Sequence, residues 1–455
     1  MGINSFSFEN VQRWLKWNQL EEALRFHKIA CSRLSEGDGD LKEVLVATGD
    51  RNEMLGWIFA CLSADHRVWV ANPKWKQAEW TQVAACVNPD VIIGAPVLEF
   101  RENQMVEADR RLTESGLMIP TGGSSGRIKF AWHDLSTMGA AVEGMASYFL
   151  GREDVRRGDF AFYCDLPLWH VSGWMQVFRA FVSDSSFTWD RDDVLKRQEV
   201  FEQREIWWYS LVSTQLHRLI QNREVHFLRS FDHLVLGGGA IRESIIHSAL
   251  AHELQMYATY GLSETAGMVA GKRIQAEDDF AKGAEVFSHV SLRIAKEAKN
   301  LNEGEVLIKS KACCKGYNGR RFASRDWELY SGDIGMLDDE GKLHILGRSD
   351  RMIVTGGEKV NPLEVMDVLR KHPSISDCWV FGLEHETWGE VVSAVYVLDE
   401  KCSSFDEKEI QEFLSSKLGS YKIPKRWQRV ERIPYDEKGK LVKQALIDVI
   451  AQMKK

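Results

Sequence analysis

The sequence predicts an α/β protein with a large N-terminal domain of layered α/β subdomains, a small β subdomain and a small α+β domain at the C-terminal end. Between about residues 40 and 106, short β-rich runs such as EVLVATG and RVWVANP alternate with helical stretches. This alternation is typical of βαβ units and of a mainly parallel sheet. The pattern changes near residues 284 and 347, and 455 residues are too many for one compact core. Two or three domains are therefore expected.

The elements of the first part of the chain follow from its hydrophobic pattern. The apolar stretch from Met54 to Ala64 is too short to span a membrane and predicts a buried helix. After a Gly/Ser-rich segment, strands are predicted at DFAFYCDLP, EIWWYSLV, FDHLVLGGGA and ELQMYATYG, and helices at GWMQVFRAFV and IRESIIHSALAHEL. Most of the sixteen tryptophans are expected to be packing residues.

The chain beyond residue 284 changes character twice. Short strands with tight turns predict the small, mostly antiparallel β subdomain, with a hairpin turn at Asp339–Gly341. The Gly-rich segment GRSDRMIVTGGEKVNP is predicted to be a loop, and the helices and strands after it indicate a small α+β domain. The predicted domains are therefore residues 1–349 and 350–455.

Composition excludes two classes of partner and indicates a compartment. A net charge of −8 argues against nucleic acid as the main partner. No run approaches the roughly 18 apolar residues that a membrane-spanning helix needs, so no membrane span is expected. The N-terminal residues also lack the pattern of a secretory signal. The eight cysteines show no Cys-x-x-Cys spacing, which predicts reduced thiols and a cytoplasmic protein.

The segment MIPTGGSSGRIKFAWHD, at residues 118–134, is the most informative part of the chain. It is a Gly/Ser/Thr-rich loop that presents backbone N–H groups and hydroxyls to an anion, with a lysine that adds a mobile charge. Two residues separate the last glycine from the lysine, so the spacing is not that of a Walker loop, and a metal ligand must come from elsewhere. A plain linker is the alternative interpretation. The candidate phosphate-binding residues are Thr121, Gly122, Gly123, Ser124, Ser125, Gly126 and Lys129.

Several further motifs follow in order along the chain. A Gly-rich turn after a predicted strand suits nucleotide binding at the carboxyl end of a parallel sheet. Next come an aromatic ring, a hydroxyl and a carboxylate within five residues, then an aspartate after a tight turn, and finally a lysine on a Gly-containing turn near the end. These candidates are Gly238, Gly239 and Ala240, then Tyr260, Gly261, Ser263 and Glu264, then Asp333, Arg348 and Asp350, then Gly356 and Gly357, and Lys440.

The motifs PTGGSSGRIK, YGLSE, SGD, GRSDRMIVTGGEKVNPLEV, YKIPK and GKLVK occur in this order between Met118 and Lys443. Together they resemble the motif set of the adenylate-forming superfamily, which includes acyl-CoA synthetases, aryl-CoA ligases, luciferases and peptide-synthetase adenylation domains. The resemblance implies that a carboxylate attacks the α-phosphorus of ATP, giving an acyl-adenylate and pyrophosphate. Because negative charge grows on phosphate oxygens, preorganised positive groups supply most of the catalysis.

The resemblance assigns roles to residues at the matching positions. The Thr121–Lys129 loop would hold the β- and γ-phosphates, and Glu264 would bind Mg²⁺ through an oxygen ligand. Tyr260 would stack near adenine, with Gly238, Gly239 and Ala240 lining the adenine pocket. Asp333 and Arg348 would grip the ribose, and Gly261 and Ser263 complete the nucleotide-binding motif.

A second step would transfer the acyl group to the thiol of coenzyme A. The resemblance implies that the small C-terminal domain is mobile and rotates between the two steps about a hinge at Asp350. Rotation would remove Lys440 from the α-phosphate and the substrate carboxylate. It would bring the Gly356–Gly357 loop toward the site. ATP, Mg²⁺ and coenzyme A are therefore the expected cofactors and co-substrates.

The segment PLWHVSGWMQVFRAF is expected to contact the acyl group. His170 matches the gate beside the substrate carboxylate, although a core histidine is the alternative. Arg179 lies in an otherwise apolar helix, where it would either reach the surface along its alkyl chain or pair with a second substrate carboxylate. This segment, STQLHRLI and GGGAI resemble the o-succinylbenzoate–CoA ligases of menaquinone and phylloquinone biosynthesis. The resemblance implies an aromatic acid with two carboxylates as substrate.

Two other functions stay open at this point. One is a different aryl- or fatty acyl-CoA ligase, and the other is an inactive adenylate-binding protein. The joint presence of Glu264, Asp333, Arg348 and Lys440 argues against the inactive protein. The oligomeric state, including a homo-oligomer, also stays open.

Overall fold

The computed structural model divides the protein into two compact units. The first unit is formed by Met1–Leu292 and Ile308–Leu329, and the second by Arg293–Leu307 and Tyr330–Lys455. The structure describes residues 6–35, 40–94, 114–122, 128–152, 154, 156, 158–198, 205–239, 241, 243–297, 300–322, 327–349, 352–355, 358–385, 388–400, 402 and 406–435.

The first unit contains most of the helices and two large sheets. Its helices are α1 (Phe8–Trp17), α2 (Glu21–Leu34), α3 (Arg51–Ser63), α4 (Gln77–Cys86), α5 (Leu135–Leu150), α6 (Val171–Val182), α7 (Arg191–Gln198), α8 (Ser213–Gln221), α9 (Val225–Leu228) and α10 (Glu243–Ala251). Its strands are β1 (Glu43–Val46), β2 (Arg67–Val70), β3 (Val91–Ile93), β4 (Gly116–Gly122), β5 (Ile128–His133), β6 (Phe160–Tyr163), β7 (Ser186–Thr188), β8 (Ile206–Leu211), β9 (His233–Leu236), β10 (Met256–Leu262), β11 (Gly267–Ile274) and β12 (Glu285–Val286).

The remaining strands continue in chain order. They are β13 (Val290–Glu297), β14 (Asn300–Ser310), β15 (Gly316–Tyr317), β16 (Arg320–Arg321), β17 (Leu329–Leu337), β18 (Leu343–Arg348), β19 (Ile353–Thr355), β20 (Glu358–Val360), β21 (Ile375–His385), β22 (Gly389–Leu398) and β23 (Arg426–Arg429). The second unit also contains helices α11 (Pro362–Leu369) and α12 (Glu407–Ser415).

Both large sheets have a parallel centre, as the sequence predicts. One sheet has the order β16–β15–β5–β4–β2–β1–β3, and the other has β12–β11–β10–β9–β8–β6–β7. Strands β3, β1, β2 and β4 run parallel in the first, and β7, β6, β8, β9 and β10 run parallel in the second. The carboxyl ends of β8, β9 and β10 therefore lie along one edge of the second sheet, where α/β proteins bind ligands.

The Gly/Ser-rich segment at residues 118–134 is not a loop throughout, which corrects the sequence prediction. Its two flanks form β4 and β5, which pair antiparallel from Leu117 opposite His133 to Gly122 opposite Ile128. Apolar residues on these flanks are fully buried, and burial favours strand pairing over an open loop. Residues 123–127, the predicted tip of the hairpin that β4 and β5 form, lie outside the described residues.

The core of the first unit is rich in aromatic residues. Helix α3 begins after Asp50, whose carboxylate accepts hydrogen bonds from the backbone N–H groups of Asn52 and Glu53. Every residue of α3 from Met54 to Leu62 is buried, which confirms the predicted buried helix. The prediction that tryptophans are packing residues is confirmed for Trp14, Trp57, Trp69, Trp80, Trp132, Trp174, Trp207 and Trp208, whereas Trp17 and Trp388 are exposed.

The second unit contains the predicted antiparallel sheet and the α+β fold. A four-stranded sheet has the order β13–β14–β17–β18, and β17 pairs antiparallel with β18 across the predicted turn at Asp339–Gly341. Another sheet contains β20, β19, β22, β21 and β23. The Gly-rich segment after Gly347 includes β19 and β20, which pair as a short hairpin, so its prediction as a loop was wrong in part. The predicted domain boundary at residue 349 stays a prediction.

Two findings bear on the predicted compartment and partners. All eight cysteines are free thiols. Among the described residues, no helix is both long enough and apolar enough to cross a membrane.

Candidate active site

The β4–β5 hairpin positions both ends of the candidate phosphate loop. Thr121 on β4 stands directly opposite Lys129 on β5, and Gly122 stands opposite Ile128. Thr121 is buried, whereas Lys129 is exposed. The tip residues Gly123, Ser124, Ser125 and Gly126 lie outside the described residues, so their roles stay predictions.

The turn that carries Glu264 is tied to this hairpin. Strand β10 ends in a 3₁₀ turn at Ser263–Thr265. His133, at the end of β5, donates a hydrogen bond from Nε2 to the Ser263 carbonyl at 2.8 Å. The backbone N–H of Cys314 donates to the Glu264 carbonyl at 2.7 Å. The predicted metal ligand and the predicted phosphate loop are therefore held on one framework within the first unit.

Tyr317 connects the same two features through its side chain. Its hydroxyl donates a hydrogen bond to Oε1 of Glu264 at 3.0 Å, and the Nζ of Lys129 lies 5.4 Å from the centre of its ring. Burial and the neighbouring Glu264 charge raise the pKa of Tyr317, which keeps its hydroxyl protonated as a donor.

Sequence reasoning missed three residues of this framework: His133, Cys314 and Tyr317. His133 lies near the end of the quoted segment at residues 118–134, and Tyr317 lies outside the quoted motifs. Their contacts could not be predicted from local sequence, because they reach 130 and 53 residues along the chain. The Gly-containing run KGYNG was the available hint, since a glycine before Tyr317 marks close backbone approach.

His133 is neutral in the folded protein. Burial lowers its pKa to about 4, and its Nδ1 lies 3.1 Å from the Thr137 hydroxyl. A neutral ring can donate from Nε2 to the Ser263 carbonyl while Nδ1 accepts. The hydrogen-bond geometry therefore matches the protonation state that burial favours.

The Gly-rich turn and Tyr260 lie at neighbouring strand ends in the second sheet. Gly238 follows β9 with a φ of +81°, in the left-handed region that glycine adopts without strain. Strand β10 lies beside β9, and the Thr259 hydroxyl donates to the Leu236 carbonyl at 3.0 Å. Gly239 follows Gly238, and Tyr260 follows Thr259, so the parallel register brings the predicted adenine-pocket residues to one edge. Ala240 lies outside the described residues.

Gly261 is required by a close approach of two strands. The β10–β11 pairing has an irregularity between Tyr260 and Gly261. A Cβ on Gly261 would lie 1.9 Å from the Gly267 carbonyl oxygen, which no side chain can tolerate. The glycine therefore lets β10 and β11 meet where the chain turns toward Ser263.

Arg179 is buried in the first unit, on helix α6. Its side chain is 4% exposed, so the interpretation that it reaches the surface was wrong. A Cβ on Gly267 would lie 3.4 Å from its Nη2, and its Cζ lies 6.0 Å from the centre of the Trp208 ring. Burial lowers its pKa to about 10, which still leaves it charged at neutral pH.

Arg179 has no carboxylate partner among the residues that the structure describes. Its Nε is buried and makes no hydrogen bond there. His170, the other predicted acyl-site residue, lies at the amino end of the same helix as its half-exposed N-cap residue. Helix α6 thus carries both residues predicted to contact the acid.

Asp333 and Arg348 form an ion pair within the second unit. They stand opposite each other on β17 and β18, with Nη1 of Arg348 3.0 Å from Oδ1 of Asp333. Nη1 also donates to the Ser331 carbonyl at 2.9 Å. Gly332 has a φ of +69°, and a Cβ there would lie 2.7 Å from Nη2 of Arg348. The predicted ribose-binding pair is thus preformed.

Four further predicted residues lie outside the described part of the chain. They are the hinge residue Asp350, the loop residues Gly356 and Gly357, and the catalytic candidate Lys440. Their roles stay predictions.

Comparison with known proteins identifies the family. Residues 114–318 match the family model of the AMP-binding enzyme, and residues 364–440 match that of the AMP-binding enzyme C-terminal domain. The chain belongs to the AMP-binding enzyme family. The predicted membership of the adenylate-forming superfamily is therefore confirmed, and so is the predicted α/β fold class.

Relatives of this AMP-binding enzyme include several 2-succinylbenzoate–CoA ligases. The one from Bacillus licheniformis is 28% identical over 452 residues, which cover 90% of this chain and 89% of the relative. The one from Bacillus cereus is 28% identical over 370 residues, covering 78% of this chain and 74% of the relative. These relatives confirm that the chain resembles this group of ligases, as the sequence motifs predict.

Solved structures share the fold. ATP-bound MatB from Rhodopseudomonas palustris superposes with a TM-score of 0.76 at 21% identity, covering 96% of this chain and 94% of that one. The o-succinylbenzoate CoA synthetase MenE from Bacillus subtilis, in complex with its acyl-adenylate intermediate, gives a TM-score of 0.71 at 23% identity, with coverage of 94% and 92%.

Proposed function

We propose that this AMP-binding enzyme is an acid–CoA ligase that acts in two steps through an acyl-adenylate. The reaction is 2-succinylbenzoate + ATP + CoA to 2-succinylbenzoyl-CoA + AMP + pyrophosphate. The observation that carries the choice of acid is Arg179, a buried guanidinium with no carboxylate partner among the described residues. The likeness to 2-succinylbenzoate–CoA ligases over nine-tenths of the chain supports the same choice.

The first unit suits the polyphosphate end of ATP. Thr121 and Lys129 stand opposite each other on β4 and β5, near the predicted phosphate loop, and the ammonium of Lys129 would neutralise phosphate charge. Glu264 would be the protein ligand of Mg²⁺, since its Oε2 has no hydrogen-bond partner among the described residues while Tyr317 holds Oε1. Bound Mg²⁺ would supply neutralisation of charge on the β- and γ-phosphates.

A single protein carboxylate, Glu264, suits a Mg²⁺ ion that binds together with a nucleotide. Among the described residues, no group of three or more His, Cys, Asp or Glu side chains could hold a metal ion. Mg²⁺ in nucleotide sites typically uses one or two protein carboxylates, with phosphates and waters as its other ligands. A single carboxylate beside a phosphate loop agrees with that pattern.

The remaining nucleotide contacts are assigned by position in the family motifs. Tyr260 and the Gly238–Gly239 turn would bind adenine, and Asp333 and Arg348 would bind the ribose hydroxyls. Lys440 would bridge the α-phosphate and the acid carboxylate in the first step, and the loop at residues 356–357 would serve the second.

Arg179 gives the acid site its specificity. Burying an unpaired cation costs free energy, which a substrate carboxylate would offset by forming a charge-assisted hydrogen bond. Of the two carboxylates of 2-succinylbenzoate, one would be adenylated and the other would pair with Arg179. His170 would stand beside the reacting carboxylate. An acid with a single carboxylate would leave Arg179 uncompensated.

The experiment that tests this function is a substrate panel. Pyrophosphate release is measured with 2-succinylbenzoate, benzoate, coumarate and a medium-chain fatty acid, each with ATP, Mg²⁺ and CoA. We expect the highest kcat/KM for 2-succinylbenzoate. A higher value for coumarate or for the fatty acid would identify another acyl-CoA ligase and overturn the choice of acid. We place the enzyme in the reducing cytoplasm, a proposal that its eight free thiols support.

A further inference from the structure

Tyr317 lies beside both the predicted metal ligand, to which its hydroxyl donates a hydrogen bond, and the predicted phosphate-loop lysine, whose Nζ is 5.4 Å from its ring centre. We propose that Tyr317 is a positioning residue for the metal-bound polyphosphate. Its hydroxyl orients the Glu264 carboxylate, and its ring gives the Lys129 ammonium a neighbour other than that carboxylate. The inference rests on the proposed function, because it takes Glu264 as a ligand of nucleotide-bound Mg²⁺.

The backbone around Tyr317 is held firmly against β5. The N–H of Lys315 donates to the Trp132 carbonyl at 2.8 Å, and the N–H of Asn318 donates to the Phe130 carbonyl at 2.9 Å. The Asn318 side chain accepts in turn from the Phe130 N–H at 2.9 Å. A side chain anchored on both sides of its residue can hold a neighbour in one orientation, which is what positioning requires.

The hydroxyl leaves one oxygen of Glu264 available. It donates to Oε1 at 3.0 Å, and Oε2 has no hydrogen-bond partner among the described residues. The Cys314 N–H fixes the backbone of the same residue at its carbonyl. With backbone and Oε1 both held, the direction of Oε2 is set before the nucleotide arrives.

The ring of Tyr317 lies beside the ammonium of Lys129, whose Nζ is 5.4 Å from the ring centre. No ion pair joins Lys129 or Glu264 to any described residue, although their charges are opposite and both flank Tyr317. A direct Lys129–Glu264 pair would neutralise both groups and remove them from phosphate and metal binding. The aromatic face offers the ammonium a weaker resting place that a polyphosphate can displace.

The test compares Tyr317→Phe with Tyr330→Phe, a matched control at a tyrosine that is 64% exposed in the second unit. Two quantities are measured: the Mg²⁺ concentration for half-maximal pyrophosphate release, and the affinity for Mn²⁺ by electron paramagnetic resonance with a non-hydrolysable ATP analogue. In Y317F we expect the Mg²⁺ concentration for half-maximal activity to rise about tenfold and the Mn²⁺ affinity to fall about tenfold. This is the size of effect expected from losing a hydrogen bond to a charged group. The KM for the acid and the thermal midpoint should stay near wild type, and Y330F should change neither quantity.

Two further variants distinguish the effect of the Tyr317 hydroxyl from that of its ring, and a positioning role from a purely structural one. Tyr317→Leu should also raise the KM for ATP, because Lys129 loses its aromatic contact. In a Glu264→Gln background, Tyr317→Phe should add little further weakening of Mn²⁺ binding, since the two side chains act as one unit. Additive losses in that double variant would overturn the inference.

Two other outcomes would also overturn the inference. A metal requirement in Y317F equal to that in Y330F overturns the inference, as does a parallel change of every constant with a lower thermal midpoint. Failure of the proposed function is distinguishable, because wild type would then either release pyrophosphate faster with another acid, on which the Mg²⁺ requirement can still be measured, or release none with any acid. In the second case the Mn²⁺ titration decides alone, with tenfold weaker binding in Y317F supporting the inference and unchanged binding overturning it.

Discussion

At the scale of single residues, Arg179 is the most unusual feature of the first unit. Long cationic side chains are rarely fully buried without a partner, because desolvation of the charge is costly. Arg179 is 4% exposed, and its Nε has no hydrogen-bond partner among the described residues. In the proposed function, Arg179 would trade stability for the ability to bind a substrate carboxylate.

This trade can be measured with Arg179→Met, which keeps most of the volume and removes the charge. We expect the KM for 2-succinylbenzoate to rise at least about thirtyfold, since breaking a buried charge pair costs about 2 kcal/mol or more. The KM for ATP should change little, and the thermal midpoint should stay the same or rise. The control is Arg218→Ala at an exposed position of α8. An unchanged KM for the acid would remove Arg179 from the substrate site.

Buried histidines make the stability of the protein depend on pH. Burial lowers the pKa of His27, His133 and His289 to about 4. Below a pH of about 6.5 the unfolded chain takes up protons at these residues while the folded protein does not. Stability is therefore complete above about pH 6.5 and declines as the pH falls toward 4.

The contribution of His133 to this decline can be isolated with His133→Gln. Its shift corresponds to about 3 kcal/mol at most, by the conversion of 1.36 kcal/mol per pKa unit. We expect a shallower fall of the thermal midpoint between pH 6.5 and 4 than in wild type. His226→Gln, at an exposed position, should keep the wild-type slope. Equal slopes in all three proteins would contradict a neutral buried His133.

At the scale of elements, the strand β10 connects the predicted adenine-binding edge of the second sheet to the turn that carries the predicted metal ligand, Glu264. Gly261 lies at the irregularity in the β10–β11 pairing, where a Cβ would overlap the Gly267 carbonyl oxygen. Ser263 and Glu264 follow within three residues and are tied to β5 and to Cys314. A shift of β10 at Gly261 would therefore move the Glu264 carboxylate.

Gly261→Ala tests this coupling. We expect a lower thermal midpoint, because overpacking against backbone costs about 1–3 kcal/mol, together with a higher Mg²⁺ concentration for half-maximal activity. Gly49→Ala is the matched control, since a Cβ there meets nothing within 4 Å. If Gly261→Ala lowered stability and left the Mg²⁺ requirement unchanged, Gly261 would be a purely structural residue.

The hairpin of β4 and β5 shows where element prediction from sequence stops. A Gly/Ser-rich run predicts a loop because such residues favour turns, yet the described residues on both sides of it, up to Gly122 and from Ile128, are paired strands. The flanks pair because Ile119, Phe130 and Trp132 are fully buried. Burial is a property of the assembled sheet, and local composition does not contain it.

At the scale of the whole molecule, the proposed reaction divides between two units. Thr121, Lys129 and Glu264 belong to the first unit, and Asp333 and Arg348 to the second. In the proposed reaction, the predicted hinge at residue 350 would let the domain predicted at residues 350–455 serve two steps in turn.

Lys440→Ala tests that division of labour. We expect loss of pyrophosphate release, because Lys440 would stabilise charge at the α-phosphate, while thioester formation from supplied acyl-adenylate and CoA stays near wild type. Lys438→Ala, two residues earlier, should leave both activities intact. Equal loss of both activities in Lys440→Ala would contradict alternation of the small domain.

The sequence by itself determined the α/β class, the order of the motifs and the family. Hydrophobic periodicity, glycine placement and motif order are local properties, and they are readable without coordinates. It also identified Arg179 and Glu264 as candidates, but it left open whether Arg179 reached the surface.

Only the tertiary structure decided that Arg179 is buried and that Tyr317 holds Glu264. Both depend on contacts between residues far apart in the chain, such as the 53 residues that separate Glu264 from Tyr317. Desolvation and hydrogen-bond geometry arise when strands and helices pack, so no local pattern encodes them.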